Sequence, residues 1–514
     1  MKKTIRLLSV LLLLAMTLTF AACESNVTDS GATSDGGNVS GNGTSSGDIS
    51  GSEDDSDAKY KDENGNYRPL IGVLDEYKGR TFTVVVRSEL YGTYQSDDFT
   101  TKTGGNGGID YGDTFYTQVA ARNDMVEELY GVTLEVAKID NPRQAIEEDA
   151  QTGARAYDAA VIHVVEDAAP LAQADLLANL YGLSNFDANA PWWDASANEA
   201  YSIGEKLYFT TGDITIMNKA NTWCILFNKQ MITDYNLEDP YKLFKEGTWT
   251  FDKLAEMAST VHNVTDYVAD MTNPDAVYGM VTAYGDALEF YGGAGMTLCD
   301  KDAENNPSLA FGASEQSVSL AETILTRLRD ANWKVYAQTA GVGMQPAFEL
   351  FWSGRALFRP SGFTAVTKCR SLAKMAFGIL PMPKMFETQE EYYTTSHGTF
   401  AACVPKNCAD PEFSAYMLDA YAAGAKNYIT PAYVEVNLLG KSLRDDESEE
   451  ILYYIYSHIL YDVGRIYNFG QVSAIMTNLA KSSSVDVTST LESVRDSIEL
   501  EILDLIDDYK ENET

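Results

Sequence analysis

From residue 81 onward, segments with the apolar pattern of a strand alternate with segments whose apolar residues recur at helical spacing. Residues 81–86 are β-branched and almost continuously apolar, which is typical of a strand covered on both faces. Apolar positions between 115 and 129 recur at helical spacing, and Gly131 ends that helix. The alternation continues with predicted strands at 132–136 and 157–163 and predicted helices at 142–154 and 169–180. Because parallel strands need crossover helices, this order predicts a doubly wound parallel sheet.

The middle of the chain predicts a second set of strands, which begins at 206–209 and 221–229. Thr250 is the predicted N-cap of a helix that follows directly. Two prolines interrupt the apolar run 377–384, which favours a crossing between two lobes over the interior of a sheet. One final amphipathic helix is predicted from the spacing of Leu491, Val494, Ile498, Ile502 and Leu505.

The N-terminus has the pattern of an export signal. Lys2, Lys3 and Arg6 precede an apolar run at 7–20, and Ala21-Ala22-Cys23 follow it. The run is shorter than the roughly 20 residues that a membrane-spanning helix needs. Residues 24–66 are rich in Ser, Gly and Asp, which predicts a disordered linker.

Composition and charge narrow the possible functions of the remaining chain. The sequence is 45% hydrophobic, which is enough for two or three domains with buried cores. Its formal net charge of -37 repels nucleic acid and anionic lipid head groups, so neither is an expected partner. The cysteines other than Cys23 lack the spacing of a disulfide framework, and whether Cys403 pairs with Cys408 stays open. The histidines lack zinc spacing and the acidic run at 300–304 fits a polar turn better than a calcium loop, so we expect no metal and no cofactor.

The small residues before Cys23 resemble a bacterial lipobox, although Phe20 stands where that motif usually has Leu. The resemblance implies that the signal is removed, that Cys23 is lipidated, and that the protein is held at the extracellular face of the cell membrane by lipid alone. Two acyl chains provide stable attachment, because a single chain binds a membrane only marginally. The alternative is an ordinary secretory signal followed by an incidental cysteine.

A series of short motifs follows in a fixed order at 157–163, 206–209, 226–229, 248–252, 291–293, 354–358, 378–383 and 401–406. Together they resemble the extracellular solute-binding proteins of bacterial ABC importers, in particular the sugar-binding family that contains the maltose-binding protein. The likeness covers nearly all of residues 75–510. The chain departs from the family at 359–363, where a tryptophan-rich turn is missing, and in its longer C-terminal portion.

The resemblance implies an α/β fold of two periplasmic-binding-protein-like lobes. Each lobe would be a mostly parallel sheet flanked by helices, and hinge strands would join them. The first lobe is expected at 69–212 and 380–430, and the second at 213–379 and 431–514.

The resemblance also implies a function without catalysis. The protein would capture a small solute, most simply an oligosaccharide, by lobe closure, and would deliver it as a monomer to the permease subunits of an ABC-type importer. The alternative is a secreted polysaccharide hydrolase or lyase that uses Glu166 and Glu289 as acid and base. A cell-surface adhesion module is a third, weaker interpretation.

Candidate ligand contacts follow from the chemistry of sugars and the geometry of parallel sheets. A pyranose offers an apolar face to an aromatic ring and hydroxyls to planar polar groups. Ligands of parallel sheets bind beyond the carboxyl ends of the strands, here after Val86 and Ile162. Each candidate also has a structural interpretation, and Trp192 and Trp193 are interpreted as a packing plug. The candidate ligand-binding residues are Glu89, Tyr91, Tyr94, His163, Glu166, Asp213, Glu289, Tyr291, Arg359 and Phe363.

Overall fold

The computed structural model describes residues 55–88, 96–100, 111–264, 273–340, 343–369, 373–396, 398–443, 445–482 and 484–511. The residues from Lys59 onward form one compact unit. Its two larger sheets, here called sheet A and sheet B, have five strands each. In chain order the strands are β1 (Thr81–Arg87), β2 (Thr133–Ile139), β3 (Ala159–His163), β4 (Phe209–Thr210), β5 (Trp223–Asn228), β6 (Tyr278–Thr282), β7 (Cys299–Lys301), β8 (Pro307–Leu309), β9 (Lys334–Tyr336), β10 (Ala356–Gly362), β11 (Phe377–Leu380), β12 (Thr394–Thr395), β13 (Phe400–Cys403) and β14 (Ile459–Leu460).

Helices cover both sheets, and π-helical turns occur at Val164–Ala168 and Ala432–Leu443. In chain order the α-helices are α1 (Asp113–Tyr130), α2 (Pro142–Thr152), α3 (Ala169–Gln173), α4 (Ala195–Tyr201), α5 (Met217–Ala220), α6 (Lys229–Asp234), α7 (Pro240–Lys245), α8 (Phe251–Val261), α9 (Asp286–Gly293), α10 (Glu315–Arg329), α11 (Met344–Trp352), α12 (Phe363–Cys369), α13 (Pro411–Pro431), α14 (Asp446–Ser457), α15 (Val463–Tyr467), α16 (Ala474–Lys481), α17 (Val487–Glu492) and α18 (Arg495–Glu511).

Sheet A forms the core of the first lobe, with the strand order β2–β1–β3–β13–β4. β1 is parallel to β2 and β3, whereas β13 is antiparallel to β3 and β4. Residues 84–86 and 159–162 are fully buried, which explains the continuous apolar runs in these strands. The predicted helix end at Gly131 is confirmed, because this residue caps α1 with a φ of 67°.

Sheet B forms the core of the second lobe, with the strand order β11–β5–β10–β6–β9. β10, β6 and β9 are parallel, and β5 is antiparallel to β10 and β11. The predicted two-lobed α/β class with a mostly parallel sheet in each lobe is confirmed, since four of the five strands in each sheet run in one direction and only β13 in sheet A and β5 in sheet B are antiparallel. The reason is that β5 and β13 each enter from the other lobe at the carboxyl edge, so they run against their neighbours. The predicted N-cap at Thr250 is also confirmed, since its side chain accepts a hydrogen bond from Lys253 N.

Two segments connect the sheets, 211–222 between β4 and β5 and 381–399 between β11 and β13. At the start of the first segment, a Cβ on Gly212 would overlap the carbonyl oxygen of Trp192. That same oxygen accepts a hydrogen bond from Asp213 N (2.8 Å). The prolines of the run 377–384 lie after β11, so the crossing begins where the sequence analysis placed it.

Trp192 and Trp193 form the predicted packing plug. Their side chains are buried, and both indole N–H groups donate to Oδ1 of Asp419 in α13, at 3.0 and 2.7 Å. Oδ2 of the same carboxylate accepts from Asp187 N (3.0 Å). The plug therefore fixes the chain immediately before the first crossing.

Two predicted helices differ in the structure. The helix expected at 169–180 stops at Gln173, because Ala178 N donates to Val404 O (2.9 Å) and the chain pairs with the end of sheet A instead. The single final helix is two helices, α17 and α18, and Val494 lies in the break between them.

The folded part begins before residue 66, where the sequence analysis ended the linker. Tyr60 is buried, and its hydroxyl donates to Asp187 Oδ2 (2.6 Å). The Asn427 side chain in α13 bonds both the N–H and the C=O of Tyr67 (2.9 Å each). Residues 60–66 therefore belong to the first lobe.

The C-terminal helices contact both lobes, although the sequence analysis assigned 431–514 to the second. The ring of Tyr509 in α18 lies 4.8 Å from that of Tyr208, which precedes β4. Arg465 in α15 pairs with Glu289 in α9, which follows β6. In the part of the chain that the structure describes, no helix is long and apolar enough to cross a membrane.

Candidate functional site

The carboxyl edge of sheet A is occupied by a buried ion pair. Arg87 ends β1, and its guanidinium donates to both carboxylate oxygens of Asp167, at 2.8 and 2.5 Å. A third hydrogen bond reaches the backbone oxygen of Asp140 (2.8 Å). Asp167 lies in the π-helical turn Val164–Ala168, which brings it back over the end of β1. The bidentate geometry offsets the cost of burying both charges.

His163 ends β3 at the same edge, and its Nδ1 accepts a hydrogen bond from Glu166 N (3.1 Å). The ring lies edge-on to Phe400, with centroids 5.7 Å apart. The Glu166 side chain is exposed. Of the two predicted contacts in this segment, Glu166 faces solvent and His163 is largely buried.

The carboxyl edge of sheet B carries an aromatic pair. The rings of Tyr284, two residues after β6, and Tyr336, at the end of β9, lie 4.4 Å apart at 41°. Tyr284 is partly exposed, whereas Tyr336 is buried beneath Lys334, whose Nζ is 3.5 Å from its ring centroid. The edge therefore presents one accessible ring supported by a second one.

Asp286 begins α9 two residues after Tyr284. Its Oδ2 accepts hydrogen bonds from Thr282 Oγ1 (2.6 Å) and Ala283 N (2.7 Å). Burial raises the pKa of Asp286 to about 7, in spite of these two bonds and the nearby charge of Arg359. Near neutral pH this carboxyl group is therefore partly protonated.

Glu289 lies one turn further along α9 and is bound by protein groups. Arg465 Nη2 and Nη1 donate to its two oxygens at 2.6 and 3.0 Å, and the hydroxyl of Thr395 donates as well. Both partners are nearly buried, with 13% and 6% of their side-chain surfaces exposed. Helix α15, which carries Arg465, also contacts the Val164–Ala168 turn of the first lobe. Helix α15 thus contacts segments that follow strands of both sheets.

Asp213 lies at the first crossing and is enclosed by donors. It accepts from Lys219 Nζ (3.0 Å), Lys426 Nζ (3.3 Å) and Thr430 Oγ1 (2.8 Å). Burial acts to raise the pKa of Asp213, but the two lysines and the hydroxyl outweigh it and hold the pKa below its ordinary value. This carboxylate joins the crossing segment to α13.

The other predicted site residues fall into three groups. Tyr291 and Phe363 are fully buried, Tyr291 bonded to Ser317 Oγ (2.7 Å) and Phe363 packed on Tyr456. Arg359 is 7% exposed and lies over the ring of Phe348 (4.4 Å). A side chain without exposed surface cannot contact a ligand here, so Tyr291 and Phe363 serve packing. Glu89, Tyr91 and Tyr94 lie outside the described residues.

Several polar and aromatic residues of these edges were missed by the sequence analysis. Tyr284 follows a buried strand just as Tyr91 does, so the same reasoning could have found it. No local signal points to Arg465, because its partner is 176 positions away in the chain. Among the described residues, no group of three or more His, Cys, Asp and Glu side chains could hold a metal ion. Asp302 Oδ1 accepts from Glu304 N and Asn306 N (3.0 and 2.8 Å), which confirms a polar turn there.

The same architecture occurs in solved structures of low sequence identity. UspC from M. tuberculosis is 13% identical, with a TM-score of 0.53 over 82% of this chain and 99% of UspC. The ABC substrate-binding protein Lmo0181 from Listeria monocytogenes, in complex with cycloalternan, is 12% identical, with a TM-score of 0.51 over 82% and 99% of the two chains. An ABC transporter solute-binding protein from Thermotoga lettingae, bound with alpha-D-tagatose, is 14% identical, with a TM-score of 0.50 over 83% and 100%.

The fold is that of ABC solute-binding proteins. The predicted likeness in fold is confirmed on these alignments. No protein-family model matches the sequence, and no curated protein matches it either. Identity this low shows the fold alone and does not transfer a ligand.

The buried Glu289–Arg465 pair should be necessary for stability. Replacing Arg465 with Met leaves a buried carboxylate without its charged partner, so we expect a loss of about 3 kcal/mol or more in unfolding free energy. The double variant Glu289→Gln, Arg465→Met should be less destabilised than the single variant. Urea unfolding measures both. A single variant within about 1 kcal/mol of the parent would contradict the proposed role of the pair, because that is the range of exposed pairs.

Asp286 should make stability depend on pH. Its folded pKa of about 7 lies above the ordinary value, so its contribution is full at low pH and is lost as the pH rises through about 7. Asp286→Asn keeps an oxygen acceptor and never ionises, so it should be more stable relative to the parent at pH 8 than at pH 5. Chemical unfolding at both pH values gives the difference, and Asp124→Asn, on an exposed position of α1, is the control. Equal differences for the two variants would show that Asp286 titrates normally.

Proposed function

We propose that this chain is an extracellular solute-binding protein that captures an oligosaccharide between its two lobes. The observation that carries the proposal is the partly exposed Tyr284 ring, which packs against Tyr336 at a tilt of 41° just before the polar start of α9. A ring of this kind suits the apolar face of a pyranose, and Asp286, when protonated, can donate as well as accept a hydrogen bond. The arrangement therefore combines stacking with hydroxyl recognition at one strand edge.

The first lobe supplies the opposing polar groups of the proposed site. Arg87 and His163 are fixed at the carboxyl edge of sheet A, and α15 links this edge to that of sheet B. The proposed contacts are the accessible or edge residues of both lobes and the aromatic and acidic residues that follow β1. They are Glu89, Tyr91, Tyr94, His163, Glu166, Tyr284, Asp286 and Arg359.

The relatives in fold support a sugar as the ligand class. Two of those compared above were solved with cycloalternan and with alpha-D-tagatose. Carbohydrates of different size are thus accommodated on this architecture. We propose an oligosaccharide rather than a single sugar because aromatic candidates occur after β1 as well as after β6.

A hydrolase is less well supported by the same residues. It would require Glu166 and Glu289 as acid and base, but both oxygens of Glu289 are engaged by Arg465. A carboxylate held in a buried bidentate pair is poorly placed to exchange a proton with a substrate. We therefore propose binding and delivery to the permease subunits of an ABC-type importer, by a monomer, without catalysis.

Ligand binding should depend on Tyr284. A thermal-shift screen with maltotetraose, raffinose and cellotetraose would find a ligand, since saturation at about 100 times Kd adds roughly 2.7 kcal/mol to stability. Tyr284→Ala should weaken its binding about tenfold or more in titration calorimetry, because a stacking ring is lost. Tyr235→Ala, which removes an exposed tyrosine from the end of α6, is the matched control and should bind normally.

Closure of the two lobes around the same ligand can be measured independently of its affinity. Saturation should reduce the radius of gyration measured by X-ray scattering, because hinge bending brings two lobes together. Tyr284→Ala with normal affinity would refute the placement of the site. Release of a cleaved sugar product would refute the receptor function itself.

We also propose that the protein is anchored through Cys23. Cys23→Ser should leave the signal uncleaved or release the mature protein from the membrane fraction, because the lipid and not the short apolar run holds it. Cell fractionation and mass spectrometry of the N-terminus measure this. A Cys23→Ser protein that is correctly cleaved and still membrane-bound would contradict lipid anchoring.

A further inference from the structure

A second groove lies outside the two strand edges, between the first lobe and the β7–β8 hairpin. Its volume is about 500 Å³, within the range of about 300 to 1,000 Å³ that is typical of small-ligand sites. None of its residues belongs to the site proposed above. The groove is lined by Tyr181, Ala188, Asn189, Ala195, Asn198, Glu199, Ser202 and Asn305.

The groove combines an accessible ring with planar polar groups. Tyr181 is 45% exposed, and its hydroxyl lies near the side chain of Ser202. Asn189 and Glu199 are exposed beside it. Among the described residues, neither the Asn189 amide nor the Glu199 carboxylate has a hydrogen-bond partner. These groups are available to the hydroxyls of a ligand that stacks on Tyr181.

The far wall of the groove comes from the hairpin and is held in place. Asn305 has a φ of 61°, a left-handed conformation that asparagine tolerates. In this conformation its amide donates to Ser202 Oγ (3.0 Å) and Gly204 O (2.8 Å). Lys301 donates to the backbone oxygens of Glu199 and Ser202. The groove is therefore a preformed feature made by two separate parts of the chain.

The charges favour a neutral ligand. Glu199 places a carboxylate at the groove, and the nearby Lys301 ammonium group, which attracts it, is engaged by backbone oxygens. Glu199 and the formal charge of -37 on the whole chain both repel anions. Uronic acids and phosphorylated sugars are thus disfavoured, and a neutral glycan is left as the carbohydrate that fits.

We propose that this groove is a second carbohydrate-binding site, which holds a short segment of a neutral glycan on the ring of Tyr181. Asn189 and Glu199 would bind its hydroxyls, and Asn305 would close the far side. The site is separate from the strand edges, so the proposal does not rest on the function assigned to them. A long glycan could be retained here while another part of it, or another molecule, is captured between the lobes.

Ligand-observed saturation-transfer NMR tests the groove, because it detects weak binding. The probes are maltotetraose, cellotetraose and chitotetraose at millimolar concentration, with digalacturonate as the anionic comparison and tetraalanine as a peptide. The variants are Tyr181→Ala, Asn189→Ala, Tyr284→Ala and the control Tyr235→Ala. With the interlobe site weakened by Tyr284→Ala, we expect the added Tyr181→Ala change to weaken binding of at least one neutral glycan about tenfold, while the added Tyr235→Ala change leaves that signal intact.

The outcomes separate the two sites. A glycan signal lost only in Tyr284→Ala supports the interlobe site and overturns the groove. The groove proposal is also overturned if no neutral glycan gives a signal that depends on Tyr181. A Tyr181-dependent signal with digalacturonate or tetraalanine alone overturns it as well. Because Tyr181 is exposed, Tyr181→Ala should unfold at the same temperature as the control, and Asn189→Ala, a second exposed position, should reproduce its weaker binding.

Discussion

The close backbone approach at Gly212 is the constraint on which the arrangement of the two lobes depends. The chain leaves sheet A there with no room for a side chain, because the carbonyl oxygen of Trp192 occupies that space and bonds Asp213 N. Trp192 is in turn fixed by the buried Asp419 carboxylate. Asp213 then ties the crossing to α13 through Lys426 and Thr430. The exit of the chain from the first lobe is therefore fixed by backbone and side-chain contacts.

Two buried ion pairs lie near the carboxyl edges of the sheets in this very acidic protein. Arg87 with Asp167 and Arg465 with Glu289 are both buried and both bidentate, a geometry that offsets part of the cost of desolvation. Each pair is locally neutral although the whole chain carries a formal charge of -37. These pairs therefore add polar groups to the proposed sugar site without a strong electrostatic field. Such a site suits a ligand that is recognised by hydroxyl hydrogen bonds and ring stacking.

The C-terminal helices and the β7–β8 hairpin make contacts that the order of strands and helices along the chain does not predict. α15 reaches Glu289 of one lobe and the Val164–Ala168 turn of the other, and Asn305 of the hairpin completes the Tyr181 groove. Both sets of contacts form where segments that are distant in sequence pack against each other. In the proposed site, ligand contacts from both lobes would make binding and closure interdependent.

The sequence by itself determined the elements whose signals are local. Strand β1, the N-cap Thr250 and the helix end at Gly131 follow from apolar periods and capping chemistry, because these depend on neighbours within a few residues. The Pro-Trp-Trp run indicated a packing plug, but its partner Asp419 is distant in sequence and is identified only by the tertiary structure. Tertiary structure alone decided whether a candidate faces solvent or the core. Tyr284 and Tyr291 lie on the same short stretch, yet one is partly exposed and the other fully buried, since burial depends on partners such as Ser317 that are distant in sequence. For the same reason, the pairing of Glu289 with Arg465 has no signature in the order of residues.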